Sequence, residues 1–189
     1  MSEVKATVKG RFVGGGLFEA RDDNGRMKHS ACIVLGDGED RKIKTIIDNA
    51  IAEKWGNKKP AGLQDWGVRE GDDPEFEASF GQLFINPKAN EKSPPQTVIK
   101  RNGVVEAVTE EEKLIYPGCY VAVSVSAYCM EADPAKKMKA CVCLNLRAVM
   151  FTRNGDPLGD SVNAENEFAD FNSEEFEDDD DDLLGGMAA

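Results

Sequence analysis

Cations and flat rings share faces at several places in this chain. Lys5, Lys9 and Arg11 fall on one side of an alternating run, and Tyr120 and Tyr128 on one side of a second. Lys137, Lys139, Arg147, Phe151 and Arg153 fall on one side of a third. Positive side chains hold phosphates, and rings stack on bases of any identity, so this is the mix that single-stranded nucleic acid needs. Phe18, just after Gly14-Gly15-Gly16, is a further candidate ring. Each face alone could be the solvated outer side of a sheet; three in one chain favour nucleic acid.

Catalytic constellations are thin by comparison. The single histidine, His29, sits on a predicted strand beside apolar residues and reads as a core or edge residue. No Gly-x-Ser-x-Gly elbow accompanies it, and no phosphate-binding Gly-x-x-x-x-Gly-Lys-Ser/Thr loop occurs. Gly14-Gly15-Gly16 lacks the strand-to-helix context of a dinucleotide fingerprint and is expected to be a bend. Asp22-Asp23 and Asp72-Asp73 could hold Mg²⁺ in a nuclease, but such pairs are usually solvated loop residues. Cys141 and Cys143 fall on one strand face, and Cys119 or Cys129 could join them around zinc. Structural zinc sites favour a Cys-x-x-Cys knuckle, so free buried thiols are the simpler reading. The expectation is a protein that is not an enzyme and needs neither metal nor cofactor.

Charge position is more informative than net charge. The 189 residues carry 23 Lys and Arg against 35 Asp and Glu, a net −12. Twelve of those acids, and no base, lie in residues 160–189, which leaves 23 acids against 23 bases in residues 1–159. A neutral body therefore carries an acidic tail. The tail has too little apolar surface to offset the entropy of ordering and is expected to be disordered. Its acidic run Asp178, Asp179, Asp180, Asp181 and Asp182 is flanked by Phe176 and by Leu183 and Leu184. Acid for long-range attraction and a small apolar end to dock make a peptide that a basic groove can read. A polyanionic segment can also compete for its own protein's nucleic-acid site, so deleting residues 160–189 is expected to tighten binding and flatten its salt response.

No apolar stretch approaches the ~20 residues of a membrane span. The N-terminus carries no basic-then-apolar signal, and five cysteines cannot all pair within one chain. Reduced thiols and a cytoplasmic location are expected.

The elements that must position these residues are mainly strands. Residues 4–12 alternate, with Val4, Ala6, Val8, Gly10 and Phe12 opposite the basic face. A second strand is predicted over residues 28–35. Over residues 40–55 the period changes to Ile43, Ile46, Ile47, Ala50 and Ile51, an amphipathic helix with Asp40 as N-cap and Gly56 as its stop. Residues 56–96 read as a long irregular excursion with one short strand near residues 82–86. Asn102-Gly103 between two β-rich runs signals a type I′ hairpin. Strands over residues 120–128 and 137–153 follow; the latter is expected to bury Met138, Val142, Leu144, Leu146 and Met150. Six or seven strands with one helix fit a small, partly closed antiparallel barrel of OB type, because closure removes exposed edges.

The order of parts resembles the acidic-tailed single-stranded DNA-binding proteins of tailed bacteriophages. The resemblance is carried by the N-terminal strand, the Ile43-to-Trp55 helix, Pro117-Gly118 entering a long strand, the closing Asn154-Gly155-Asp156 and the acidic end. It implies an OB-fold protein that coats single strands in replication and recombination, with a tail that recruits polymerase, helicase or primase. The expected organisation is a nucleic-acid-binding domain over residues 1–158 and a tail over 159–189. Self-association is left open. A nucleic-acid mimic that inhibits a host enzyme and a Mg²⁺-dependent nuclease using Asp22 or Asp72 are the rival readings.

Overall fold

The structure, a computed structural model, describes residues 4–159. The chain opens with β1 (Lys5–Gly14), β2 (Arg21–Asp22), β3 (Met27–Ser30), β4 (Cys32–Leu35) and the helix α1 (Asp40–Trp55). Four short strands follow: β5 (Gln64–Asp65), β6 (Arg69–Glu70), β7 (Leu83–Ile85) and β8 (Lys88–Asn90). The hairpin β9 (Gln96–Arg101) and β10 (Val104–Ala107) leads to two long strands, β11 (Tyr120–Met130) and β12 (Cys141–Arg153). The mainly β architecture with one helix is the one expected from periodicity.

These strands form one sheet in the order β2-β3-β8-β12-β11-β1-β4-β7-β6. β1, β11 and β12 pair antiparallel along their length, whereas β5, β8 and β9 lie parallel to β12 on its other side. What curls this sheet is a single residue. The sequence predicts one strand over residues 28–35, but the chain breaks at Ala31 and sends β3 to β8 while β4 joins β1. Two strands one residue apart thus occupy opposite ends of the central sheet, which brings those ends together as a curled, partly closed OB-like barrel. Ala31 is fully buried, and its N–H donates to the Pro87 carbonyl (3.3 Å) instead of continuing a ladder. Period-two patterning carries no signal for a break at a small apolar residue.

The core follows from alternation. Val8 and Phe12 of β1, Ile33 of β4, Val121, Val123 and Val125 of β11, and Val142, Leu144, Leu146 and Val149 of β12 are buried in one cluster. α1 adds Ile43, Ile46, Ile47 and Ala50, so its apolar stripe closes over the inner sheet face. Removing area from water at roughly 25 cal/mol per Å² makes this face the main source of stability. Glu39, not Asp40, precedes the helix, and its carboxylate accepts from the Lys9 N–H (3.1 Å). Gly56 ends the helix at φ 54°, and Asn102 and Gly103 turn the hairpin at φ 50° and 81°, as their residue types require.

Candidate nucleic-acid interface

Strand register joins what the sequence offers as separate faces. Across β1 and β11, Lys5 pairs with Ser126, Thr7 with Ser124, Lys9 with Ala122 and Arg11 with Tyr120. Across β11 and β12, Tyr128 pairs with Cys143, Ser126 with Asn145 and Tyr120 with Arg153. Directly paired residues point to the same side of a sheet, so these side chains form one continuous outer face. Between its tyrosines β11 presents only Ala122, Ser124 and Ser126 there, a floor of small residues. Tyr120 and Tyr128 lie about 26 Å apart along an extended strand. The arrangement is a shallow track with a ring at each end and bases along its sides.

At the Tyr128 end a cleft of about 860 Å³ is lined by Arg26, Met27, Lys28, Lys88, Lys92 and Asn145 together with Tyr128. Tyr128 is 40% exposed, so part of it is open to a ligand. Burial, reinforced by Cys143, pushes its pKa up to about 12. Two of the cations in this cleft are already engaged: Lys88 Nζ lies 2.6 Å and Lys28 Nζ 3.4 Å from the Asp23 carboxylate. The hydrogen bond from Lys88 is the main reason Asp23 titrates below the ordinary carboxylate range. Sequence reading missed Lys28, Lys88, Lys92 and Arg26. Lys28 and Lys88 sit on short strands, and only the β3–β8–β12 pairing brings them beside Tyr128.

At the Tyr120 end a second cleft, of about 620 Å³, is lined by Lys9, Arg11, Tyr120 and Arg153, with Ala78 and Gln82 of the excursion among its other residues. Arg153 Cζ stands 3.7 Å from the Tyr120 ring centroid, and Arg11 Cζ 6.0 Å. Arg11 is half-buried and donates from Nε to the Gly118 carbonyl (3.1 Å) and from Nη2 to the Asp156 carbonyl (2.7 Å).

The β12 face differs from plain alternation because the strand carries two bulges. Ser124 pairs with Ala148 while Val125 pairs with Leu146, which leaves Arg147 as the extra residue; Thr152 is the extra residue between Phe151 and Arg153. Each extra residue reverses the side on which the following residues point. Val149 therefore replaces Met150 in the core, and Phe151 packs against the core rather than lying on the outer face. The second bulge returns Arg153 to the outer face. Lys137 and Lys139 lie before β12, in the connection from β11: Pro134–Lys136 is a short 3-10 turn, and Lys137 follows it at φ 53°. Both are exposed. Phe18 is half-buried against the core and lines a separate cleft with Gly14, Ile115 and Tyr116.

His29 is a buried core residue whose Nδ1 lies 3.1 Å from the Leu17 carbonyl. Cys141 and Cys143 place their sulfurs 3.7 Å apart, while Cys129, paired with Val142, packs against the core on the other side of the sheet. Among the described residues no group of three acidic, histidine or cysteine side chains could hold a metal ion. Among them, too, no helix is long and apolar enough to cross a membrane. Phe176, Asp178 to Asp182, Leu183 and Leu184 lie outside the described residues.

The fold is shared with phage proteins of known structure. The single-stranded DNA-binding protein of bacteriophage Enc34 in complex with ssDNA matches with a TM-score of 0.61 at 21% identity, over 82% of this chain and 90% of that one. The same protein in its own structure gives 0.60 at 19%, over 88% and 90%. Bacteriophage T7 gp2.5, a single-stranded DNA-binding protein, gives 0.55 at 16%, over 100% of each chain. No curated protein matches the sequence. The family described as Enterobacter phage Enc34, ssDNA-binding protein, matches residues 4–184, and the chain belongs to it.

Proposed function

We propose that this protein is a non-enzymatic, sequence-tolerant single-stranded DNA-binding protein that coats exposed strands in phage replication and recombination. The observation that carries the reading is the joining of the Lys5–Lys9 and Tyr120–Tyr128 faces with Arg153 in one outer track on β1, β11 and β12. A basic track with rings and no base-edge code suits a ligand whose phosphates and ring faces are constant and whose sequence varies. Family membership supports it, as does the solved Enc34 relative, which is in complex with ssDNA.

In this reading Lys5, Lys9, Lys28, Lys88, Lys92 and Arg147 contact phosphates, and Tyr128 stacks on a base. Lys137 and Lys139 add charge in the β11–β12 connection. Phe151 and Phe18 leave the stacking set because they pack against the core. Residues 1–158 act as the DNA-binding domain and residues 159–189 as a tail that recruits a polymerase, helicase or primase. The tail's twelve acids oppose a polyanionic ligand through their field.

The test is fluorescence-anisotropy titration of labelled oligo-dT at two salt concentrations, with duplex DNA as competitor, on the full chain and on residues 1–159. Binding that weakens with salt, resists duplex competition and tightens on truncation is expected. Silence from both forms would retire the DNA reading in favour of an acidic mimic that blocks a host enzyme. Unchanged affinity after truncation would retire only the tail's opposing role.

A further inference from the structure

We propose that at the Tyr120 end of the track the base is stacked by Arg153, with Tyr120 beneath it as a positioning residue. This inference deepens the single-stranded DNA reading and rests on it. A ring offers a base its open face, and the 3.7 Å separation between Arg153 Cζ and the Tyr120 centroid leaves no room between them. The guanidinium is itself planar and delocalised, and its far side takes a second flat group as readily as the first. Arg153 is exposed, and both it and Tyr120 line the cleft that holds Lys9.

The stack is built rather than incidental. Arg153 reaches the outer face only because Thr152 is bulged, and the Thr152 hydroxyl donates to the Tyr120 carbonyl at 2.9 Å, pinning the bulge to the neighbouring strand β11. On the ring's edge a Cβ at Gly155 would stand 2.9 Å from Tyr120 Cε2, so the closing turn lies directly against it. Arg11, the other cation over this ring, spends its donors on the Gly118 and Asp156 carbonyls. Arg153 has no such carbonyl tie among the hydrogen bonds found in the described residues, and its charge and its plane both remain available to a ligand. An arginine in this position therefore does two jobs that a lysine cannot combine.

The experiment separates charge from stacking. Full-length wild type, Arg153→Lys, Tyr120→Leu and the double variant are titrated with oligo-dT and with an abasic oligonucleotide of equal length. Far-UV circular dichroism and a thermal melt check folding. Arg153→Lys is expected to weaken oligo-dT binding about 5- to 150-fold, the range of one stacked base, with abasic binding and the salt slope unchanged. Tyr120→Leu should lose a similar factor, and the double variant little more, because the two residues act as one platform. Arg153→Lys binding oligo-dT as wild type does would overturn the inference and leave the DNA reading standing, as would equal losses on both oligonucleotides. Wild type that binds neither oligonucleotide would overturn the DNA reading itself. If Tyr120→Leu unfolds, Tyr120→Phe keeps the ring and is expected to bind as wild type.

Discussion

The two ends of β11 carry the same residue type on the same face in opposite states. Tyr120 has a guanidinium 3.7 Å above its ring, whereas Tyr128 is 40% exposed and has Cys143 as its cross-strand partner. The identity of the paired residue decides the difference: an arginine covers a ring, while a cysteine leaves it open. One strand thus presents a cationic plane at one end and a bare aromatic plane at the other. Under the proposed function both would stack a base, and only the first would also neutralise phosphate. At the open end two of the cations, Lys28 of β3 and Lys88 of β8, are held by Asp23.

The largest expected effect comes from breaking the covered end through its backbone. Gly118 sits at φ 113°, and any side chain there would collide with the Asp156 carbonyl that anchors Arg11. Gly118→Ala should lose about 3 kcal/mol or more of stability from strain and overpacking together, read by chemical denaturation. A loss under about 0.5 kcal/mol would show that the closing turn does not buttress Tyr120. At the open end, Tyr128→Ala should weaken oligo-dT binding by about 1–3 kcal/mol while Tyr128→Phe stays near wild type. Equal losses in the two variants would assign the hydroxyl, not the ring, as the binding group.

A smaller effect sharpens the electrostatic side of the comparison. Asp23→Asn frees Lys28 and Lys88 to meet phosphates; affinity should rise about threefold, and the log–log salt slope should steepen by up to about 0.7 per released lysine. Weaker binding would mean that Asp23 orients those lysines rather than occupying them. A further effect, on stability rather than affinity, is in alkali. Burial holds the protons of Tyr128 and Cys143 to about pH 12, above the ordinary ranges near 10 and 9. Between those values the folded state keeps protons that the unfolded chain has lost, so stability falls as pH rises through that window. Denaturation at pH 9 and pH 11.5 checks this, and Tyr128→Phe should remove part of the decline.

Much of the fold is readable from residue types alone. Alternation through Val8 and Phe12, the stripe from Ile43 to Ala50 and the Asn102-Gly103 turn each have one physical reading, because hydrophobic period and positive-φ residues act locally. The outer face was visible in part for the same reason: Lys5, Lys9, Tyr120 and Tyr128 keep strict parity on unbroken strands. Phe151 was misread because it lies between two bulges, and a bulge leaves no mark in a sequence of plausible strand residues. Lys88 was missed because its distance from Tyr128 is a matter of strand pairing, which periodicity does not encode.

By itself the sequence determined the long strands and the helix in outline, which side of β1, β11 and α1 is buried, and that the excess acid follows a neutral body in the chain. Those properties depend on neighbours within a few residues and on the cost of exposing apolar surface. Tertiary structure alone decided that the basic face of β1, the tyrosine face of β11 and Arg153 join in one track, that the chain breaks at Ala31 to send β3 and β4 apart, and that Arg153 rather than Phe151 stands on the outer face. Such outcomes depend on register between strands far apart in the chain, where one extra residue changes the side of everything that follows.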